Sequence, residues 1–388
     1  MKIAYLFGGR FDPIALGGNA VDIREDLSGL RVLGQDVVFR SYETASLGVP
    51  QAVRTSKRRL PPVLWDTVRD AALVRKSRRF QRQLESDSAL AGTHLAFEYW
   101  SPSVFGGSAF AKSRGVPHVL ENLDPITDEL RQASGGLLAQ RLRALEAARR
   151  KDAAALIVMA RGMGDYLVRE WEIDAERVHW IPQGVNTDLF RRSEPTEIRR
   201  LRQQLGDGMR LVGFVGSLAS YQRVDVLVEA AHRLREHRSD VKLVLVGGSV
   251  ERARALGAED VGIVIPHVDY EQVPKYISAF DVAVLPDSNW YGSPIKILEY
   301  AAVGAPVIAP DIGPVRDLVS GPDEAVLVPP SDPVALANAI AETLDNHQGA
   351  ALRAERFGAK VRSHFDRAER TRRVLELCER LVREGARG

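Results

Sequence analysis

The sequence predicts an α/β protein of two doubly wound domains, each a parallel sheet covered by helices on both faces. Three observations carry that prediction. Short runs rich in Val, Ile and Leu alternate with longer amphipathic stretches along all 388 residues, the pattern of buried parallel strands joined by helices. The runs fall into two sets, separated by a charged stretch that contains prolines. With 45% hydrophobic and 27% charged residues, the chain is long and apolar enough for two cores.

In order, the first set of strands is expected at 2–7, 36–40, 93–98, 117–121, 154–159 and 178–181, with Gly8-Gly9-Arg10 ending the first run. The second set is expected at 210–215, 242–246, 262–265, 282–285, 306–309 and 326–328. The boundary falls within 181–190, giving domains 1–185 and 186–365, followed by a charged helical segment, 366–388. No internal repeat or low-complexity segment interrupts this plan.

Lys and Arg total 53 against 51 Asp and Glu, a formal net charge of +2, too balanced to announce nucleic acid as a partner. The single cysteine, Cys378, excludes an intramolecular disulfide and a cysteine-based metal cluster. The opening apolar run is too short for a signal-peptide core, and no run approaches the ~18 apolar residues of a spanning helix. A cytoplasmic protein is expected.

The densest chemical information lies between Asn289 and Ala309. Ser293 reads as a helix N-cap, Pro294 as the first helical residue and Gly304 as the closing residue, with a buried strand after it. The helix start and the amides around Gly292 and Ser293 are then expected to converge on one spot suited to a phosphate. Glu299 lies a turn and a half into the helix and leans back over Ile295 and Lys296. The plainer reading is an ordinary cap, with Glu299 and Lys296 as a local surface pair.

This stretch resembles the E-x7-E region of retaining family-4-type glycosyltransferases of GT-B fold, in which two Rossmann-like domains face a cleft. Glu299 stands at the second Glu, which in that family grips the ribose of a nucleotide-sugar. Tyr291 occupies the first position, where the family's Glu reaches the transferred sugar, and Tyr-Gly-Ser-Pro-x-Lys resembles a subgroup form. The segment Leu211 to Ala230 resembles "FVGRL…KGVDVLVEA", with Ser217 and Gln222 where the family carries the Arg and Lys that hold the diphosphate. Arg223 and Lys296 are the expected substitutes, Arg223 being otherwise a solvent-facing cation at a helix start. Gly216 and Gly247 fall in strand-end turns of the same pattern. His267 and Val268 fall in the segment whose backbone reads the base, a surface loop being the alternative for His267.

In the first half, Gly17-Gly18 resembles the family's cleft-facing "GG" loop or is a plain flexible turn. The string Gly115-Val-Pro-His-Val-Leu-Glu-Asn-Leu-Asp124 resembles "GVPLVLEVNAP". It makes Glu121, Asn122 and Asp124 candidates for acceptor binding or proton transfer, or merely caps of the following turn. Ile181 to Phe190 resembles the interdomain "PNGVD…F" segment, and the final helix is where GT-B proteins return to the first domain.

The resemblance implies an enzyme that moves a hexose-type sugar from a nucleoside diphosphate, UDP or GDP, to a hydroxyl or amine with retention. The acceptor would be a small molecule, a glycan or a lipid-linked molecule, and neither a metal nor another cofactor is implied. Glu299, Arg223, Lys296 and Tyr291 would be catalytic. Gly216, Ser217, Gly247, His267, Val268, Gly292, Ser293 and Pro294 would join Glu299 in holding the donor. Two other readings remain open: a non-catalytic nucleotide-sugar-binding or partner subunit, and a GT-B epimerase or phosphorylase. The Arg-rich stretch 54–82 is either a solvated helix face or a peripheral membrane contact. The sequence leaves the oligomeric state open.

Overall fold

The computed structural model of the protein describes residues 1–11, 19–44, 61–101, 104–122, 125 and 137–386. These form two compact units, one comprising Met1–Met159, Met163–Ile181 and Thr371–Gly388, the other Ala160–Gly162 and Pro182–Arg370.

Unit 1 carries β1 (Lys2–Phe11), β2 (Asp36–Thr44), β3 (Leu95–Tyr99), β4 (His118–Asn122), β5 (Ala155–Val158) and β6 (Val178–Trp180). Its helices are α1 (Asn19–Val32), α2 (Pro62–Ser86), α3 (Gly107–Arg114), α4 (Ala139–Asp152) and α5 (Arg161–Trp171), whose first two residues belong to unit 2. The strands form one sheet in the order β2-β1-β3-β4-β5-β6, parallel throughout. Alternation along the strands builds two cores. Tyr5, Phe7, Phe97 and Tyr99 pack with Ile23 and Leu27 of α1, whereas Ala4, Leu6 and Ala96 pack with Phe80 and Leu84 of α2 and Phe110 of α3.

Every expected strand is present, but β1 does not end at Phe7. It continues to Phe11 through a register shift between Phe7 and Arg10. A Cβ at Gly8 would lie 2.2 Å from the carbonyl oxygen of Val104, so glycine here admits a neighbouring backbone into the strand and does not break it.

One feature of unit 1 has no sequence signature. Glu98 of β3 is fully buried, 2.9 Å from Nε2 of His118 and 3.0 Å from a guanidinium nitrogen of Arg149, which stacks over Trp100 at 4.5 Å. Burial alone would push the Glu98 carboxyl up, but the charge of Arg149 and the hydrogen bond and charge of His118 outweigh it and hold it down at about 2. Glu98→Gln leaves Arg149 buried without a countercharge and is expected to cost about 3–5 kcal/mol in urea unfolding. Because the folded value is depressed, this stabilisation is present above the ordinary 4.5 and is lost as pH falls through about 2. The wild type should lose stability across that window more steeply than the variant.

Unit 2 carries β7 (Arg210–Val215), β8 (Val241–Val246), β9 (Gly262–Ile265), β10 (Val282–Val284), β11 (Val307–Pro310) and β12 (Val326–Val328). Its helices are α6 (Pro195–Gly206), α7 (Val224–Arg235), α8 (Val250–Ala255), α9 (Val273–Ala279), α10 (Ile295–Val303), α11 (Gly313–Arg316), α12 (Pro333–Asp345), α13 (His347–His364) and the start of α14 (Arg367–Gly385). The parallel sheet runs β12-β11-β10-β7-β8-β9, so the chain reverses its direction of travel between β7 and β10. That switch point opens a crevice beyond the C-terminal strand ends, the general ligand position of open α/β sheets. Among the described residues, no helix is long and apolar enough to cross a membrane.

Candidate functional site

β7 and β8 run into glycines, Gly216 and Gly247, at their C-terminal ends. The amide of Gly216 donates to the carbonyl of Val246 at 2.9 Å, and the amide of Gly247 to that of Ile265 at 2.9 Å. Gly247 has φ +92°, and a Cβ there would lie 2.7 Å from the Gly216 carbonyl oxygen. A Cβ at Gly216 would lie 2.8 Å from Cε of Lys296. Glycine at both positions therefore lets two strand ends and one lysine stem share the same space.

The helix α10 brings the charges. Tyr300 is buried, and its hydroxyl accepts the amide of Val215 at 3.0 Å, fixing the helix to the end of β7; burial pushes its phenol far above the ordinary range. The neighbouring Glu299 is only 6% exposed, and its Oε1 accepts from the Tyr270 hydroxyl at 2.9 Å. The Tyr270 ring lies 5.2 Å from that of Phe190. Lys296, one turn before Glu299, is half-buried; burial lowers its pKa and the Glu299 charge opposes that fall. The structure thus gathers Gly216, Gly247, Lys296 and Glu299, and adds Tyr270.

The helix start differs from expectation. α10 begins at Ile295, with Pro294 at the cap and ψ 72°, so Ser293 is not the N-cap and Pro294 is not the first helical residue. The amide of Gly292 is taken by Oδ1 of Asn289 at 2.7 Å, so it is not available to an outside anion as expected. An Asn side chain closing its own turn takes that amide. The amides of Ile295 and Ile297 are likewise used, by the carbonyls of Ser293 and Pro294. Lys296 is left as the principal positive group at that end.

Arg223 is engaged by its neighbours. It has φ +45°, and its guanidinium makes a two-pronged pair with Asp225 at 3.0–3.1 Å and a 2.8 Å bond to Ser331. A carboxylate two residues on therefore claims the cation expected to work beside Lys296. Gln222 is buried, its Oε1 accepting from the amide of Ala219 at 3.0 Å, and serves the turn. Ser217 and His267 are exposed and Val268 is half-buried. Tyr291 is half-buried with its ring edge-on to the exposed Trp290 at 5.7 Å. Glu121 is fully buried in β4, paired in register with Tyr99 and Ile157. Asn122 ends that strand, and the remaining acceptor candidates, Gly17, Gly18 and Asp124, lie outside the described residues. Among the described residues, no group of three or more His, Cys, Asp or Glu is placed to hold a metal.

Residues 17–189 match the model of Glycosyltransferase Family 4, and residues 209–346 that of Glycosyl transferases group 1. The Anabaena HepE protein solved in complex with UDP superposes with a TM-score of 0.75 at 18% identity, covering 98% of this chain and 100% of that one. The fold is GT-B. The GT-B chain is also 31% identical over 231 residues to the D-inositol 3-phosphate glycosyltransferase of Xylanimonas cellulosilytica, covering 55% of this chain and 54% of that one. It is 31% identical over 205 residues to the alpha-D-kanosaminyltransferase of Streptomyces kanamyceticus, covering 50% and 52%. These matches span about half the length of those curated relatives. The group 1 match includes Gly216, Gly247, Tyr270, Lys296 and Glu299 of the GT-B protein.

Proposed function

We propose that this protein is a retaining glycosyltransferase that moves a sugar from a nucleoside diphosphate to an acceptor hydroxyl or amine. The observation that carries the reading is the pairing of a buried carboxylate and a cation on α10 with the glycine-only strand ends at the unit 2 switch point. The names of the relatives support glycosyl transfer.

In this reading Glu299 accepts hydrogen bonds from the donor ribose, and Gly216 and Gly247 let the diphosphate approach the backbone. His267 and Val268 border the base, and Tyr291 lies on the sugar side. Lys296 meets the negative charge that grows on the leaving diphosphate. The bond from the anomeric carbon to the diphosphate oxygen breaks as the acceptor oxygen or nitrogen bonds to the same face. The acceptor's proton passes to the departing oxygen, and the protein supplies position and charge. A fixed cation does the work a metal ion would otherwise do, so transfer is expected to survive excess EDTA.

The capture of Arg223 by Asp225 favours a second reading, a subunit that binds nucleotide-sugar without turning it over. Incubating the protein with labelled UDP-, GDP-, dTDP- and ADP-sugars, an acceptor panel and EDTA separates the two. Free nucleotide with a new glycoside of retained configuration supports transfer. Binding without turnover supports the subunit, and strict dependence on Mg2+ or Mn2+ overturns the role given to Lys296.

A further inference from the structure

Glu299 is held from two directions, and the transfer step itself uses neither hold. Its backbone is fixed through its neighbour, because the Tyr300 hydroxyl takes the amide of Val215 at the end of β7. Its side chain is fixed from the segment after β9, with β8 lying between the two, since the Tyr270 hydroxyl donates to Oε1 at 2.9 Å. The carboxylate is thus tied both to a strand end and to the chain that follows Ile265.

Tyr270 is itself braced. It opens a short turn, Tyr270–Gln272, in which the amide of Gln272 donates to the carbonyl of Asp269 at 2.8 Å and which runs directly into α9. Its ring lies 5.2 Å from that of Phe190, which is fully buried. Phe190 belongs to a closed turn: Oδ1 of Asn186 accepts the amides of Asp188 and Leu189, and the Phe190 amide donates to the Asn186 carbonyl at 2.8 Å. A chain of contacts within unit 2 therefore runs from that turn through two aromatic rings and ends on one carboxylate oxygen.

We infer that Tyr270 is a positioning residue that sets the Glu299 carboxylate for a ribose diol and makes the site prefer ribose to 2′-deoxyribose. The role rests on the reading of Glu299 as the ribose contact. A glutamate side chain has several rotatable bonds, and holding it in one rotamer before the ligand arrives removes an ordering cost from binding. A hydroxyl suits the task because it bonds to the carboxylate without neutralising its charge. With Oε1 anchored, two adjacent ribose hydroxyls meet the carboxylate in a fixed geometry. A carboxylate free to turn follows a single hydroxyl as readily, so it discriminates less. A hydroxyl that only satisfied a buried acid would affect stability and leave the ribose preference alone.

The test is calorimetric titration of UDP, GDP and their 2′-deoxy counterparts into the full chain as wild type, Tyr270→Phe, Glu299→Gln and the double variant. Tyr270→Phe keeps the ring against Phe190 and removes one oxygen, and circular dichroism should show it folded. The wild type is expected to prefer the ribonucleotide about 10- to 100-fold, as for one charge-assisted bond. Tyr270→Phe should weaken the ribonucleotide about 3- to 10-fold, as for ordering one long side chain on binding, and the deoxynucleotide less, so that the preference narrows. In the Glu299→Gln background the same change should leave the preference where the first substitution set it, because Tyr270 acts through the carboxylate. An unchanged preference in folded Tyr270→Phe, with binding still weakened by Glu299→Gln, overturns the role of Tyr270 alone. Equal narrowing in both backgrounds overturns it as well. No nucleotide binding by the wild type, or binding unaffected by Glu299→Gln, removes the ribose contact itself and the role of Tyr270 with it.

Discussion

Glu299→Ala is expected to reduce sugar transfer to the limit of detection in a protein that still folds. A carboxylate gripping two ribose hydroxyls makes two charge-assisted hydrogen bonds of about 1.5–3 kcal/mol each, so their loss predicts a fall in kcat/KM of about 10²–10⁴-fold. The alanine also removes the 2.9 Å acceptor of the Tyr270 hydroxyl and the Glu299 charge that acts on Lys296. Glu299→Gln guards against confusing those effects with a lost contact. It keeps the volume and an oxygen for Tyr270 but removes the charge, and it should retain the unfolding midpoint while donor KM rises. Activity at wild-type level in either folded variant would remove Glu299 from the site.

The second large effect is expected at Lys296. Lys296→Met should lower kcat/KM by about 10²–10³-fold, the range for removing one group that stabilises transition-state charge. The loss should fall on kcat more than on donor affinity, because charge on the diphosphate peaks as the sugar bond breaks. Arg223→Met should cost much less, since Asp225 and Ser331 already engage that guanidinium. Burial lowers the Lys296 pKa below the ordinary lysine value. The ammonium is charged only below its folded pKa, so activity should fall on the alkaline side at a pH lower than an exposed lysine would give, and that limb should vanish in the methionine variant. Equal losses at both positions would return Arg223 to the diphosphate.

The strands were legible because parallel strands buried on both faces read as near-continuous apolar runs, and such runs can be read one residue at a time. The end of β1 was not, because whether Gly8 breaks a strand depends on Val104, far along the chain. The same division runs through the site. That Lys296 and Glu299 lie one turn apart on one helix was legible because helix spacing is local, whereas Gly216 and Gly247 were singled out only by the family resemblance. Tyr270 was missed because its bond to Glu299 joins residues 29 apart, and the pairing of Glu98 with Arg149 spans 51. The sequence also leaves the competition for Arg223 unread: Asp225 sits two residues away and pairs with the same cation. The cap at Ser293 failed because the helix starts later than read, the amide of Ile295 closing a tight turn onto the carbonyl of Ser293 before it.

The most direct measurement is calorimetric titration of UDP and GDP into the wild type and Glu299→Gln, in EDTA and without acceptor. Donor recognition by the α10 carboxylate predicts saturable binding of at least one nucleotide to the wild type, weakened about 10- to 100-fold in the variant, as expected for charge-assisted bonds to a ribose. No binding of either nucleotide, or equal affinity in the two proteins, would contradict it.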